Sequence, residues 1–323
     1  MRTLLILFVL FFGLRGTAQE EPRYRAVADT FQAAYNDQQY GQIFGMFDSL
    51  MQQRLPSDKL EEFLGHQVRA SVGSLQSMEY YRSLGGAHIY KSTFDRGLID
   101  IQISLDPSDR INGLFLKPHV PVTTEEPVVL ERNSTPMQLP FSGEWFVFWG
   151  GEIESQNYHM ANKNQQFAYD ILKVSEGASY AGDPLMNESY FAFGQDILAP
   201  CDATVEVAID GVPDNIPGEL NPIHLTGNTL VLKTRAGEYI LMAHLKEGSI
   251  AVRKGQQVSR GEYLARCGNS GNSSEAHLHL QLQNMRDFHK ATGARLYFET
   301  LLVNGAVKKD YMPVKEDFIQ NSN

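Results

Sequence analysis

Two cysteines in 323 residues, Cys201 and Cys267, are too few for a cysteine-only metal site or for the disulfide framework that staples small secreted domains. They leave two alternatives: one disulfide in an oxidising compartment, or two buried thiols. Basic charge is also scarce. The chain carries 28 Lys and Arg against 38 Asp and Glu, with no dense cationic cluster, so nucleic acid is a poor partner. Long apolar runs are missing beyond residues 4–12, and that run is well short of the ~20 residues a membrane span needs. There is no internal repeat and no low-complexity tract. A content of 42% apolar and 20% charged residues excludes a fibre or a largely disordered chain.

What is there begins with an export pattern. Arg2, the apolar run and the small residues Gly16, Thr17 and Ala18 ahead of Gln19 predict a secretory signal peptide over residues 1–18. The mature protein is then exported, periplasmic or extracellular, with no integral membrane segment. No cysteine stands near the cleavage point for lipid attachment.

The remaining length suffices for two domains. Pro22 in a first turn, then Val27, Phe31 and Tyr35 at helical spacing, predict one helix. Ile43, Phe44, Phe47 and Leu50 suggest a second, and Asp58 with Glu61 has capping-box spacing ahead of a third. The period then changes to two. Ile99, Ile101, Ile103 and Leu105 alternate with polar residues, residues 106–109 read as a turn, and residues 111–116 as the returning strand. Helices followed by antiparallel strands give an α+β domain over residues 22–118. Residues 119–140 are rich in Pro, Thr and Glu and read as a connector, part of it extended along the second domain. Asn133, Ser134 and Thr135 fit a glycosylation sequon. From residue 141 short strands dominate, at 205–209, 229–233 and 239–243, giving a mostly antiparallel β domain over residues 141–305. Residues 306–323 read as a C-terminal tail, whose last residues, Asn321, Ser322 and Asn323 among them, are polar and frayed.

The chemistry concentrates in His277-Leu278-His279. Leu278, Leu280 and Leu282 alternate with His277, His279 and Gln281, so a strand here carries leucines on one face and both imidazoles on the other. Two such histidines can converge on one metal-activated water. A catalytic zinc site takes three protein ligands and keeps one open position. His159, Asp170, Asp196 and His244 are the candidates for the rest, and spacing alone does not choose among them. Asn228 or Gln281 could orient an imidazole or meet substrate. Trp145 and Trp149 read as core anchors rather than glycan platforms.

The stretch from 145 to 300 resembles the lysostaphin-like, LytM-type zinc endopeptidases, which cut peptide crosslinks of bacterial peptidoglycan. The resemblance is carried by His244-Leu245, Gly255-Gln256, Gly261, Gly268, Ser270-Gly271 and His277-Leu278-His279, and by the strand pair at residues 196–211. It implies a lysostaphin-like peptidase domain with His279 on the metal, and His277 and His244 as catalytic histidines. The family's other two ligands sit in an H-x-x-x-D motif, from which this chain departs. Four residues before Asp196 stands Ala192, which cannot ligate. Either Asp196 is the family aspartate and the domain is a non-catalytic relative, or the ligands lie upstream. In the second and preferred reading, His159 and Asp170 complete a Zn2+ site with His279, although Gln166 occupies the position four before Asp170. The first domain resembles, in its order of elements, the cone-shaped NTF2-like domains. It is expected to position or occlude the second, with ligand binding of its own as the alternative.

Overall fold

The computed structural model describes residues 20–119, 126–221 and 223–322; the expected signal peptide and residues 120–125 of the connector lie outside the described residues. The N-terminal part is α+β. Helix α1 (Pro22–Asn36) has proline in its first turn and buries Tyr24, Ala28, Phe31 and Tyr35, the stripe that 3.6-residue spacing selects. The expected second helix is two helices, α2 (Tyr40–Gly45) and α3 (Ser49–Arg54). The break falls where Asp48 turns out of the helix to accept the Met51 amide at 2.7 Å as an N-cap. Helix α4 (Ser57–Glu61) begins after Pro56, so Asp58 lies in its first turn and is not the cap; a π-helical stretch (Glu62–Val68) and α5 (Arg69–Val72) continue it. Four antiparallel strands follow in the order of the chain: β1 (Leu75–Leu84), β2 (Ala87–Phe94), β3 (Gly97–Leu105) and β4 (Ile111–Pro118). Ile99, Ile101 and Ile103 on β3 face the helices as their alternation requires. The β3–β4 turn is held by Asp106, which accepts from the Ser108 and Arg110 amides at 2.7 and 2.9 Å.

The C-terminal part is mostly β. Its strands are β5 (Trp145–Trp149), β6 (Tyr169–Leu172), β7 (Asp196–Leu198), β8 (Ala203–Ile209), β9 (Asn228–Lys233), β10 (Tyr239–Leu245), β11 (Gln257–Val258), β12 (Tyr263–Arg266), β13 (Leu278–Gln283), β14 (Gly293–Ala294), β15 (Phe298–Val303), β16 (Ala306–Tyr311) and β17 (Phe318–Asn321). The main sheet runs β11-β8-β9-β10-β13-β6-β5-β17-β15-β16, with β14 beside β13 and a separate β7–β12 pair. Leu278, Leu280 and Leu282 enter the large core with Ile240, Met242, Leu230 and Leu232, which leaves the opposite face of the same strands free for chemistry.

Two expectations need correction, and one open alternative is decided. The last residues are not frayed: β17 inserts between β5 and β15, and Asn321 clasps the Leu139 amide and the Leu139 and Phe141 carbonyls. Its signal was faint because β17 has only four residues and β16 is a charged edge strand with Lys308 and Lys309. Asn133 is buried and donates to the Thr135 and Tyr297 carbonyls, so it is a structural clamp rather than an accessible sequon. Cys201 and Cys267 are both free and buried, which selects the thiol alternative. Burial pushes the Cys201 thiol up to about 12 and that of Cys267 higher still. Trp145 is a core anchor stacked on Phe141, while Trp149 is half-buried against Tyr158.

Candidate metal centre

Strand register brings the key residues together. On β13 His279 pairs with Asp170 of β6 on one side and with Ala243 of β10 on the other, so Asp170 and His279 share one face of the sheet. His159 arrives from a 3-10 turn (Tyr158–Ala161) that Asn157 begins. Asp170 oxygens lie 3.0 Å from His279 Nδ1, 3.5 Å from His159 Nε2 and 3.5 Å from His277 Nε2. The four side chains sit almost wholly out of solvent, His277 the most open of them. His244 completes the set, its ring centroid 4.7 Å from that of His277 and 5.8 Å from that of His279.

The outer hydrogen bonds fix how each ring presents its nitrogens. The Asn157 amide nitrogen donates to the Gly151 and Ala168 carbonyls, so its oxygen is the atom that meets His159 Nδ1 at 2.9 Å. His159 Nδ1–H therefore donates outward and Nε2 faces Asp170 with a lone pair. The same logic runs along β13. Gln283 donates to the Met285 and Arg286 carbonyls, Gln281 donates to Gln283 and to the Asn164 carbonyl, and the Gln281 oxygen is left to accept from His279 Nε2 at 3.0 Å. His279 thus points its Nδ1 lone pair at Asp170. His277 Nδ1 donates to the Glu275 carbonyl at 2.9 Å, and His244 Nδ1 to the Ser270 carbonyl at 2.8 Å. Four imidazoles are each anchored from behind by an acceptor, and each offers its second nitrogen to the centre.

Lone pairs from His159, His279 and the Asp170 carboxylate facing one another are mutually repulsive unless a cation lies between them. The ligand atoms of these three residues fall within 4.8 Å of one another. A tetrahedral zinc with bonds of about 2.0–2.2 Å separates its ligand atoms by about 3.3–3.6 Å, close to the 3.0 and 3.5 Å contacts of Asp170 with the two histidines. Two neutral imidazoles and a carboxylate are a zinc donor set, so the residues fit the ion. Burial holds His159 down at about 4 and His244 well below the usual histidine range, which keeps both neutral. Burial alone would raise Asp170, but the surrounding histidines outweigh it and hold the carboxyl well below the usual range. For His277 burial opposes the charge, while Asp170 and the Glu275 carbonyl outweigh it and raise its value.

His244 has φ +59, a left-handed conformation that costs a non-glycine residue about 1–3 kcal/mol. It sits where the β9–β10 register shifts between Met242 and Leu245, and its amide and carbonyl are tied to Thr226 and Gly268 at 3.0 Å each. The twist takes the ring out of the leucine core and aims it at His277. The loop that supplies Ser270 packs backbone on backbone. A Cβ on Gly271 (φ +82) would stand 2.4 Å from the Gly227 nitrogen, so only glycine fits.

His159, Asp170, His244, His277 and His279 are therefore brought together. Asp196 is not among them: it is exposed on β7 and lies 3.7 Å from Arg266, while Ala192 is buried in the core. The lost-ligand reading, with Asp196 as the family aspartate, has no support in this geometry. Gln281 is the orienting residue of the two weighed. Asn228 is a structural clamp between the Val212 backbone and the Leu245 carbonyl. Two residues escaped the sequence reading. Asn157 is fully buried two positions ahead of His159, and Tyr158 donates to Asp170 at 3.4 Å. An asparagine opening a turn beside a candidate ligand was the available signal.

Among known proteins, residues 190–292 match the sequence model described as Peptidase family M23, and residues 28–114 match one described as Protein of unknown function (DUF3887). The first match contains His244, His277 and His279 but neither His159 nor Asp170. Peptidoglycan DD-endopeptidase ShyA of Vibrio cholerae is 36% identical over 73 residues, 19% of this chain and 17% of that protein, so the chain spans about a sixth of that relative. The catalytic domain of the antimicrobial peptidase lysostaphin from Staphylococcus simulans is 20% identical, with 36% of this chain and 86% of that one covered and a TM-score of 0.23. The M23 metalloprotease pseudoalterin, from the deep sea, is 13% identical, with 57% and 99% covered and a TM-score of 0.32. Residues 190–292 of the C-terminal domain thus match the M23 peptidases, and the same domain holds a His-Asp-His cluster able to take a metal ion.

Proposed function

We propose that the protein is an exported zinc metalloendopeptidase that hydrolyses peptide crosslinks of peptidoglycan. His159, Asp170 and His279 hold the ion, and His277 and His244 handle protons. The observation that carries this reading is the convergence of inward-facing nitrogens on one buried carboxylate, each ring anchored from behind. The family match and the similarity to a peptidoglycan endopeptidase support the substrate class. Export rests on the signal pattern at residues 1–18; among the described residues no helix is long and apolar enough to cross a membrane.

Zinc, when bound, supplies Lewis acidity that polarises a carbonyl and acidifies water. The chain's own residues do the rest. His277 Nε2 takes a proton from the attacking water and returns it to the leaving nitrogen as the C–N bond breaks, giving a carboxylate and an amine. Glu275 and Ser273, at 2.9 and 3.2 Å from His277 Nδ1, keep that nitrogen turned outward. With its Nδ1–H committed to Ser270 and its charged form disfavoured by burial, His244 offers an Nε2 lone pair and orients the water.

The test is zinc content and release of peptide fragments from purified peptidoglycan. His159→Ala, Asp170→Ala and His279→Ala lose zinc and activity together. His277→Ala keeps zinc and loses activity about 10²–10⁴-fold. Full zinc and full rate in His159→Ala would refute the ligand set.

A further inference from the structure

A second cavity, about 570 Å³, lies between the two domains. That volume is in the range of small-ligand sites. It adjoins the 300 Å³ cleft at the metal centre, and Leu225, Thr226 and Phe288 line both. Register shows that the two share a floor. From His279 the same face of the sheet continues through Gln281, Leu241, Val231 and Val207, which are paired across β13, β10, β9 and β8. Val231, Leu241 and Phe288 form an apolar cluster apart from the main core. The opposite wall belongs to the N-terminal domain: Arg96 of the β2–β3 turn, Gly97 and Leu98 at the start of β3, Pro118 at the end of β4 and His119 after it.

That wall is a built feature. Arg96 donates to the carbonyls of Arg69, Ala70 and Ser71, and the His119 amide donates to the Leu98 carbonyl at 2.8 Å. The loop of residues 210–226, which flanks the metal centre at Thr226, crosses to the other domain. Its Ile223 is buried in the N-terminal core and its Asn221 donates to Ser71.

We propose that this cavity is the distal part of the substrate groove, a subsite made jointly by both domains for the apolar side chains of an extended peptide arm. The proposal rests on the metallopeptidase reading and adds to it a substrate contact from the N-terminal domain. Strands lie about 4.8 Å apart and residues rise about 3.4 Å along them, which puts Leu241 and Val231 about 8–12 Å from His279. An extended arm reaches that far about three residues from the cleaved bond. The sheet floor and lining residues shared with the cleft select a peptide as the occupant. An apolar ligand of another kind would need no opening toward His244 and His279.

Leu98 and Ile209 line the cavity from opposite domains and are 36% and 39% exposed, so both tolerate replacement. The experiment compares a crosslinked peptide dimer with a peptide trimmed to one residue on each side of the bond that the wild type cleaves. In Leu98→Glu and in Ile209→Glu the ratio of kcat/KM for dimer over trimmed peptide falls at least tenfold, through KM. An equal effect on both peptides, or none on the dimer, overturns the proposal. If the wild type cleaves neither, the peptidase reading fails by itself. Calorimetric binding of the intact dimer to the same proteins then decides the cavity: weakened binding in both variants supports the subsite, and unchanged binding overturns it.

Discussion

Gln281 gives the sharpest handle on the metal centre, because it touches one ligand and the segment next to another without being a ligand itself. Its oxygen accepts from His279 Nε2, and its nitrogen donates at 3.0 Å to the carbonyl of Asn164, just beyond the turn that carries His159. Gln281→Met keeps the volume and removes all three side-chain bonds, the donation to Gln283 included. His279 is then free to place its proton on Nδ1, facing Asp170, and the His159 segment loses its tie to β13. Removing a partner behind one ligand typically costs 10–100-fold in metal affinity, about 1.4–2.8 kcal/mol. With two ligands affected, the upper end of that range is expected. Gln281→Glu separates the two contributions, since it keeps an acceptor for Nε2–H and loses only the donation to Asn164 and Gln283. Zinc affinity measured against a chromophoric chelator should fall least for Gln281→Glu and most for Gln281→Met. A Gln281→Met protein that is folded and binds zinc within twofold of wild type would refute the account of how His279 is held.

The remaining predictions concern the scaffold. Burial alone would raise the Glu238 carboxyl, but donors from Ser134 and Thr135 outweigh it and depress the value, with Thr234 adding a bond at 3.0 Å. A depressed folded value means that the stabilisation is complete above the unfolded value of about 4.3 and is lost as pH falls through the folded one. Denaturant melts of Glu238→Gln and wild type should therefore differ most above about pH 5 and converge in acid; a gap that widens in acid would refute the sign. Ile319→Ala on β17 should cost about 2–5 kcal/mol, read as a lower denaturant midpoint, whereas a frayed tail would leave the midpoint unchanged. Thiol titration should find two equivalents of Cys201 and Cys267, slow to react in the native state and fast in denaturant. A single oxidised species under non-reducing mass spectrometry would contradict the buried thiols.

Much of this architecture was legible because burial imposes period two. The isoleucines of β3 and the leucines of β13 each declare a face, and the face left over on β13 held the site. Legibility failed where other forces govern. Strand β1 carries Gln76, Glu79 and Arg82 with no clean alternation because it is an edge strand exposed along most of its length, and β2 shows none because it is largely buried on both faces. The break between α2 and α3 depends on one capping aspartate. His159 was the hardest ligand to read, since a turn residue has no period and its orientation is set by Asn157, a neighbour whose role appears only when the loop is closed. The tautomer of His244 was invisible as well, because it depends on a carbonyl 26 residues away.

The insertion of β17 into the middle of the sheet bears on the order in which the protein can mature. Asp170 lies on β6, β6 leans on β5, and the other flank of β5 is filled only by the segment ending at Asn321. A chain emerging from its N-terminus can form the α+β domain early, yet β5, which supports the strand that presents the carboxylate, lacks its outer neighbour until the segment ending at Asn321 is free. The segment ending at Asn321 must therefore be made and docked before the carboxylate has a rigid seat, so the timing of maturation is written into the strand order.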